Sequence, residues 1–128
     1  SIYLRTDDAS GGITNYLQCR GDREVVQLHR GVEYNTVLSN NSDYTVGSAN
    51  HVILMHGMDA GRTVTIPTAQ YNSGRVLIVK DRDGTAATHN ITIATGGSET
   101  IDGGATHTMS TNRGSVTLIS DGSNWFII

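Results

Sequence analysis

Apolar and polar residues alternate in short bursts along this chain, and Gly, Asn, Asp and Ser separate the bursts. A period of two puts successive side chains on opposite faces of a strand. In the stretch 115–120, Val116, Leu118 and Ser120 point one way and Thr117 and Ile119 the other. The same pattern predicts strands near residues 35–38, 43–46, 51–55, 63–66, 75–80, 90–94, 106–110, 115–119 and 124–128. Strands recurring about every 8–12 residues between turn signals indicate a sandwich or jelly roll. Val76-Leu77-Ile78-Val79 is apolar at every position, which predicts a central strand buried on both faces. No segment keeps helical periodicity over three turns, and Thr68-Ala69-Gln70-Tyr71 after Pro67 supports one turn at most.

Residues 1–33 form a separate group of three short strands: 2–5, 13–20 (with Tyr16 and Leu17 at its centre) and 24–30. Asp7-Asp8-Ala9-Ser10-Gly11-Gly12 and Gly21-Asp22 supply the turns between them. Three such strands expose too much apolar surface to be stable alone. They need a neighbour, either residues 34–128 or other copies of the chain. The carboxyl end poses the same question, because Trp125-Phe126-Ile127-Ile128 follows a turn at Asp121-Gly122 and holds the only Trp and the only Phe. A free terminus is usually polar and frayed, so this tail reads as a last strand that must be buried.

Composition agrees with an all-β fold. Thr favours strands, Gly, Asn and Ser favour turns, and these four residues dominate a chain of 128 that is only 16% charged. A net charge of -3 and scattered arginines, with Lys80 the single lysine, recommend neither nucleic acid nor an anionic membrane as partner. One cysteine, Cys19, excludes an internal disulfide framework. No apolar run approaches the roughly 20 residues that span a bilayer as a helix. The chain begins at Ser1 without an initiator Met, which is the expectation for a processed or excised fragment of a longer protein.

Candidate chemistry is sparse. The histidines (His29, His51, His56, His89, His107) show no His-x-His repeat, and His51 and His56 fall on opposite faces of one strand. Asp81-Arg82-Asp83-Gly84 has the first alternation of a calcium loop, but the loop's closing bidentate Glu is missing and Ile93 stands near that end. A hairpin turn is the better reading. No G-x-S-x-G elbow appears, and the close acidic pairs Asp7-Asp8, Asp22/Glu24 and Asp81/Asp83 all sit in predicted turns. No cofactor is implied, and a non-enzymatic protein is expected.

An ordered set of motifs runs through residues 44–128. It comprises Thr63-Val64-Thr65-Ile66-Pro67, Gly74-Arg75-Val76-Leu77-Ile78-Val79-Lys80-Asp81 with Asp83-Gly84, and Asn90-Ile91-Thr92-Ile93. Thr100-Ile101-Asp102-Gly103 and Gly114-Ser115-Val116-Thr117-Leu118-Ile119-Ser120-Asp121-Gly122 with Trp125 complete it. This order resembles the distal β-sandwich head of many bacteriophage tail fibres and spikes, over about two thirds of the chain. The resemblance implies an antiparallel β-sandwich or jelly-roll-like head at 34–128, preceded by a shaft-like β segment at 1–33, in an intertwined homotrimer on the virion. It implies attachment to a host cell-surface receptor, a glycan or a protein. Loops on a rigid sandwich are where such proteins place recognition, and the candidates are Gln70, Tyr71, Asn72 and His89. Tyr71 can stack on a sugar ring while Gln70 and Asn72 hydrogen-bond its hydroxyls. Met55 and Met58 are expected to fill the trimer axis, where Met adapts to irregular gaps, and Trp125 and Phe126 to serve assembly. Two other roles fit the same residues: a trimerisation and folding cap whose receptor contacts lie elsewhere, and a carbohydrate-binding module of a cellular surface protein.

Overall fold

A computed structural model describes residues 2–7, 13–23, 25–28, 31–70 and 72–128. The chain divides into two compact units, Ser1–Glu33 and Tyr34–Ile128. In the first, β1 (Ile2–Asp7), β2 (Ile13–Arg20) and β3 (Val25–Leu28) form one antiparallel sheet in the order β1-β2-β3. Its register aligns Leu4 with Leu17 and Leu17 with Leu28, and likewise Ile2 with Cys19 and Cys19 with Val26. The apolar positions thus fall in cross-strand rows, yet on β3 Val26 is 63% exposed and Leu28 54%. Glu24, His29 and Arg30 of the predicted third strand, and Asp8, lie outside the described residues.

The second unit builds two sheets over one core. A five-stranded sheet has the order β12-β11-β8-β6-β4, from β4 (Thr36–Asn40), β6 (Val52–His56), β8 (Val76–Asp81), β11 (Ser115–Ser120) and β12 (Trp125–Ile127). A four-stranded sheet has the order β10-β9-β7-β5, from β5 (Tyr44–Thr45), β7 (Arg62–Ile66), β9 (Ile91–Thr95) and β10 (Thr106–Met109). One 3-10 turn, Thr68–Gln70, follows Pro67. Alternate residues of both sheets meet in a single buried cluster: Ile53, Met55, Leu77, Val79 and Leu118 from the first, Val64, Ile66, Ile91, Ile93 and Met109 from the second. Each of these side chains, fully withdrawn from water, contributes about 1.5–3 kcal/mol of transfer free energy.

The molecule is all-β with packed sheets, as the alternation predicts, but the sheets are not antiparallel throughout. The strands from β4 to β9 alternate between the two layers, and each pairs in parallel with the strand two places on: β4 with β6, β6 with β8, β5 with β7, and β7 with β9. Parallel neighbours need a crossover, and here each crossover passes through a strand of the opposite sheet. The second unit is therefore a two-layered coil up to β9. Within it, antiparallel pairing begins only where β10 folds back on β9 and β11 on β8, with β12 on β11.

Two local expectations change accordingly. β8 is central, but only Leu77, Val79 and Asp81 are buried, while Val76, Ile78 and Lys80 on the other face are half-buried. Apolar residues at every position here reflect two different faces, one in the core and one outward. The Asp83-Gly84 segment is not a hairpin either, because residues 82–90 carry the chain from the five-stranded sheet to the four-stranded one.

Candidate functional site

Parallel strands within each layer sort the connecting loops to two sides. Strands β4, β6 and β8 all end on the side that carries residues 41–43, 57–61 and 82–90, and the turn 110–114 joins them by the register of β11 on β8. Loops 46–51, 67–75, 96–105 and 121–124 lie on the other side.

Asp81 organises the first side. Its side chain is completely buried, and its carboxylate accepts N–H donors from Gly84 (3.0 Å), Ala86 (3.0 Å) and Arg113 (3.0 Å). Burial pushes its carboxyl pKa up, but these backbone donors outweigh burial and hold it below the ordinary 3.8. Gly84 adopts a φ of 82, the left-handed region that favours glycine, and the Arg113 side chain packs over it. Asn112 Oδ1 accepts from Ala87 N at 2.8 Å, Lys80 Nζ donates to the Arg113 carbonyl, and Arg113 donates to the Arg82 carbonyl. Nearby, Asn41 Oδ1 accepts from Arg62 Nη2 at 2.6 Å and from Asp59 N at 3.2 Å, and Arg62 Nη2 also reaches Asp59 Oδ1 at 2.9 Å. Asp83 Oδ2 accepts from Gly57 N at 2.8 Å. The acidic and amide side chains of this side therefore hold loops to one another.

On the second side, Arg75 plays the corresponding part. It donates to Gln70 Oε1 at 2.6 Å and to the carbonyls of Gly47 and Asn50 at 2.9 Å each. Asp121 Oδ1 accepts from the N–H groups of Asn124 and Ser123 at 2.8 Å, and these hold its carboxyl pKa low. Among the described residues no three His, Cys, Asp or Glu side chains converge as a metal-ligand set.

The residues singled out from sequence do not form one site. Gln70 closes the 3-10 turn by donating its N–H to the Pro67 carbonyl at 2.9 Å while its side-chain Oε1 accepts from Arg75, and Asn72 is exposed beside it. His89 lies on the opposite side, its N–H donating to the Thr85 carbonyl at 2.8 Å. Tyr71 lies outside the described residues. Met55 (0% exposed) and Met58 (5%) are in the core of a single chain, so neither presents a surface to an axis between copies. Trp125 is in the same core, whereas Phe126, the next residue along, is 39% exposed.

Sequence reasoning missed a cleft of ≈ 250 Å³ between β10 and β11, lined by His107, Thr108, Met109, Ser110, Thr111, Gly114, Ser115 and Val116. Its lining includes the hydroxyl-bearing Thr108, Ser110, Thr111 and Ser115 and the imidazole of His107, with Met109 and Val116 as its apolar members. It falls below the about 300–1,000 Å³ of ordinary small-molecule pockets. The signal was the hydroxyl-rich run 106–111, which reads only as an unremarkable polar strand and turn.

The two outer faces differ sharply. On the four-stranded sheet, Thr108, Thr92 and Thr63 align across three strands, and Thr106, Ala94, Thr65 and Thr45 across four. The outer face of the five-stranded sheet is mixed: Leu38, Leu54, Val52, Ile78, Val76, Ile119 and Phe126 share it with Thr36, Asn40, His56, Lys80, Ser115 and Thr117. Compared with known proteins, the chain matches no family model and no curated sequence.

Proposed function

We propose that this chain is the non-enzymatic, homotrimeric tip of a phage tail fibre or spike, carried on the virion, where it binds a host cell-surface receptor during adsorption. The receptor is a glycan in the reading favoured here. Residues 34–128 are the head, and residues 1–33 are the end of a shaft.

One observation carries this reading. Residues of the head-like motif series occupy positions that the second unit depends on. Val64 and Ile66 of the first motif and Ile91 and Ile93 of the third are buried. Asp81 of the second is the acceptor that fixes two loops. Asp102 and Gly103 both take positive φ in a turn bridged by Ile101 and Gly104, and Ile101 also pairs with Trp125. A series of motifs that each satisfy a structural need in one body is harder to reach by chance than any single motif.

Recognition then falls to the loops and to the hydroxyl-rimmed cleft at His107. A second reading, a folding cap with receptor contacts elsewhere, draws on the internal use of Asn41, Asp81, Asp83, Asn112 and Gln70, which leaves fewer loop side chains for a ligand. Adsorption separates the two. The purified chain, added in excess to host cells, is expected to block adsorption of the phage that carries it. Undiminished adsorption at saturating protein would exclude the attachment reading and favour the cap.

A further inference from the structure

We propose that Lys80, Arg82 and Arg113 form an anion-binding cluster on the first loop side, and that the glycan it takes is acidic, bearing carboxylate or phosphate groups. The inference rests on the reading of the chain as a glycan-binding tip and goes further by naming the ligand's chemistry and the place that holds it. Along the sequence the cations are scattered, and residues 34–128 carry five of them against seven acids. The fold gathers three of the five. Lys80 and Arg82 flank the buried Asp81, so both project away from the core. Arg82 carries the ladder one residue beyond β8, its N–H donating to the Met55 carbonyl at 2.9 Å. Arg113 arrives from the turn 110–114. Its guanidinium donates to the Arg82 carbonyl, and its own carbonyl accepts from Lys80 Nζ.

These cations have only neutral partners. Every ion pair among the described residues involves Arg20, Arg23 or Arg62, so none of the three has a carboxylate within 4.0 Å there. The acids beside them in sequence are engaged elsewhere: Asp81 by three backbone N–H groups, Asp83 by Gly57 N at 2.8 Å. Carbonyls thus fix Lys80 and Arg113 without cancelling their charge, and the exposed Arg82 guanidinium has no bond of its own among the described residues. Arg113 is also held at a cost in backbone strain. Its φ is 62, and the other non-glycine residues at positive φ are Asn41 and Asp102, types that tolerate it. Strain of this kind collects at ligand sites. An arginine fork matches carboxylate and phosphate alike. The segments 80–84 and 110–115 contain no aromatic residue for a base to stack on, which favours a glycan over a nucleic acid. The turn that delivers Arg113 also lines the cleft at His107 through Ser110, Thr111 and Gly114, so hydroxyl groups accompany the charge.

The test measures binding of the purified chain to immobilised hyaluronate (carboxylate), phosphomannan (phosphate) and dextran (neutral), with circular dichroism on each variant. Arg82 has no side-chain bond in the fold, so Arg82→Gln is expected to keep its strand spectrum. Ser48→Glu, exposed on the opposite loop side, makes the same change in net charge. Binding to at least one acidic polymer and not to dextran is expected. Affinity is expected to fall about fivefold in Arg82→Gln, to recover in Arg82→Lys and to hold in Ser48→Glu. The acidic polymer bound more tightly identifies the anion. The cluster is overturned if neither acidic polymer binds, if dextran binds equally well, if Arg82→Gln binds as the parent does, or if Ser48→Glu weakens binding as much. A chain that blocks adsorption yet fails here refutes the cluster and leaves the attachment reading standing. One that passes here yet leaves adsorption undiminished counts against the attachment reading alone.

Discussion

Replacing Asp81 with Ala removes the common acceptor of three backbone N–H groups on two loops. Left buried without partners, such donors cost about 1–3 kcal/mol each before the loops relax, so Asp81→Ala is expected to lose about 3 kcal/mol in urea unfolding at pH 7. The pH dependence identifies the cause. Asp81's folded pKa is below the ordinary 3.8, so its contribution is fully present above that value and is lost as the pH falls through the lower folded value. The stability gap between parent and variant should therefore be full above pH 3.8 and narrow as the pH falls through the lower folded value. A gap that stays constant through this window would assign Asp81 to packing alone. At this scale the sequence was partly legible. Asp81 stands out as an acidic residue beside a glycine turn, but its bond to Arg113 joins distant segments, and no local pattern reports that. Met55 and Met58 misled for a related reason, since an apolar residue looks the same whether it faces its own core or a neighbour's.

At the scale of elements, period-two alternation located the strands of both units to within a residue or two at most ends, and in the second unit one buried face imposes it. It could not tell parallel from antiparallel pairing. Both place alternate residues on the same face, and the difference lies in which strand supplies the hydrogen bonds. Crossing loops such as 82–90 contain the same Asp-Gly signals as hairpins, which is why an antiparallel sandwich was the natural expectation. The terminal strand was legible in place and turn but not in burial, since Trp125 is in the core while Phe126 and Ile128 are exposed. β12 pairs with β11 in the register Leu118–Ile127, Ile119–Phe126 and Ser120–Trp125, with Gly122 at a φ of 96 in the connecting turn. Deleting residues 126–128 removes that ladder and the packing of Ile127 on the core. The truncated chain is expected to lose about 2–4 kcal/mol or fail to fold, read by chemical denaturation. A truncated chain with the parent's stability would show that the tail contributes no core.

At the scale of the whole molecule, the cleft beside His107 and the contrast between the outer faces arise only when the sheets are assembled. Neither could be read along the chain. The expectation of partners, by contrast, is drawn directly from the sequence, from the few strands and many apolar residues at 1–33. Both units leave apolar surface in water, on β3 and on the outside of the five-stranded sheet. The proposed role depends on that surface being shared among copies of the chain. Sedimentation equilibrium of the unaltered protein at tens of micromolar tests this most directly: three chains per particle is the predicted result, and a stable particle of 13.7 kDa would contradict it.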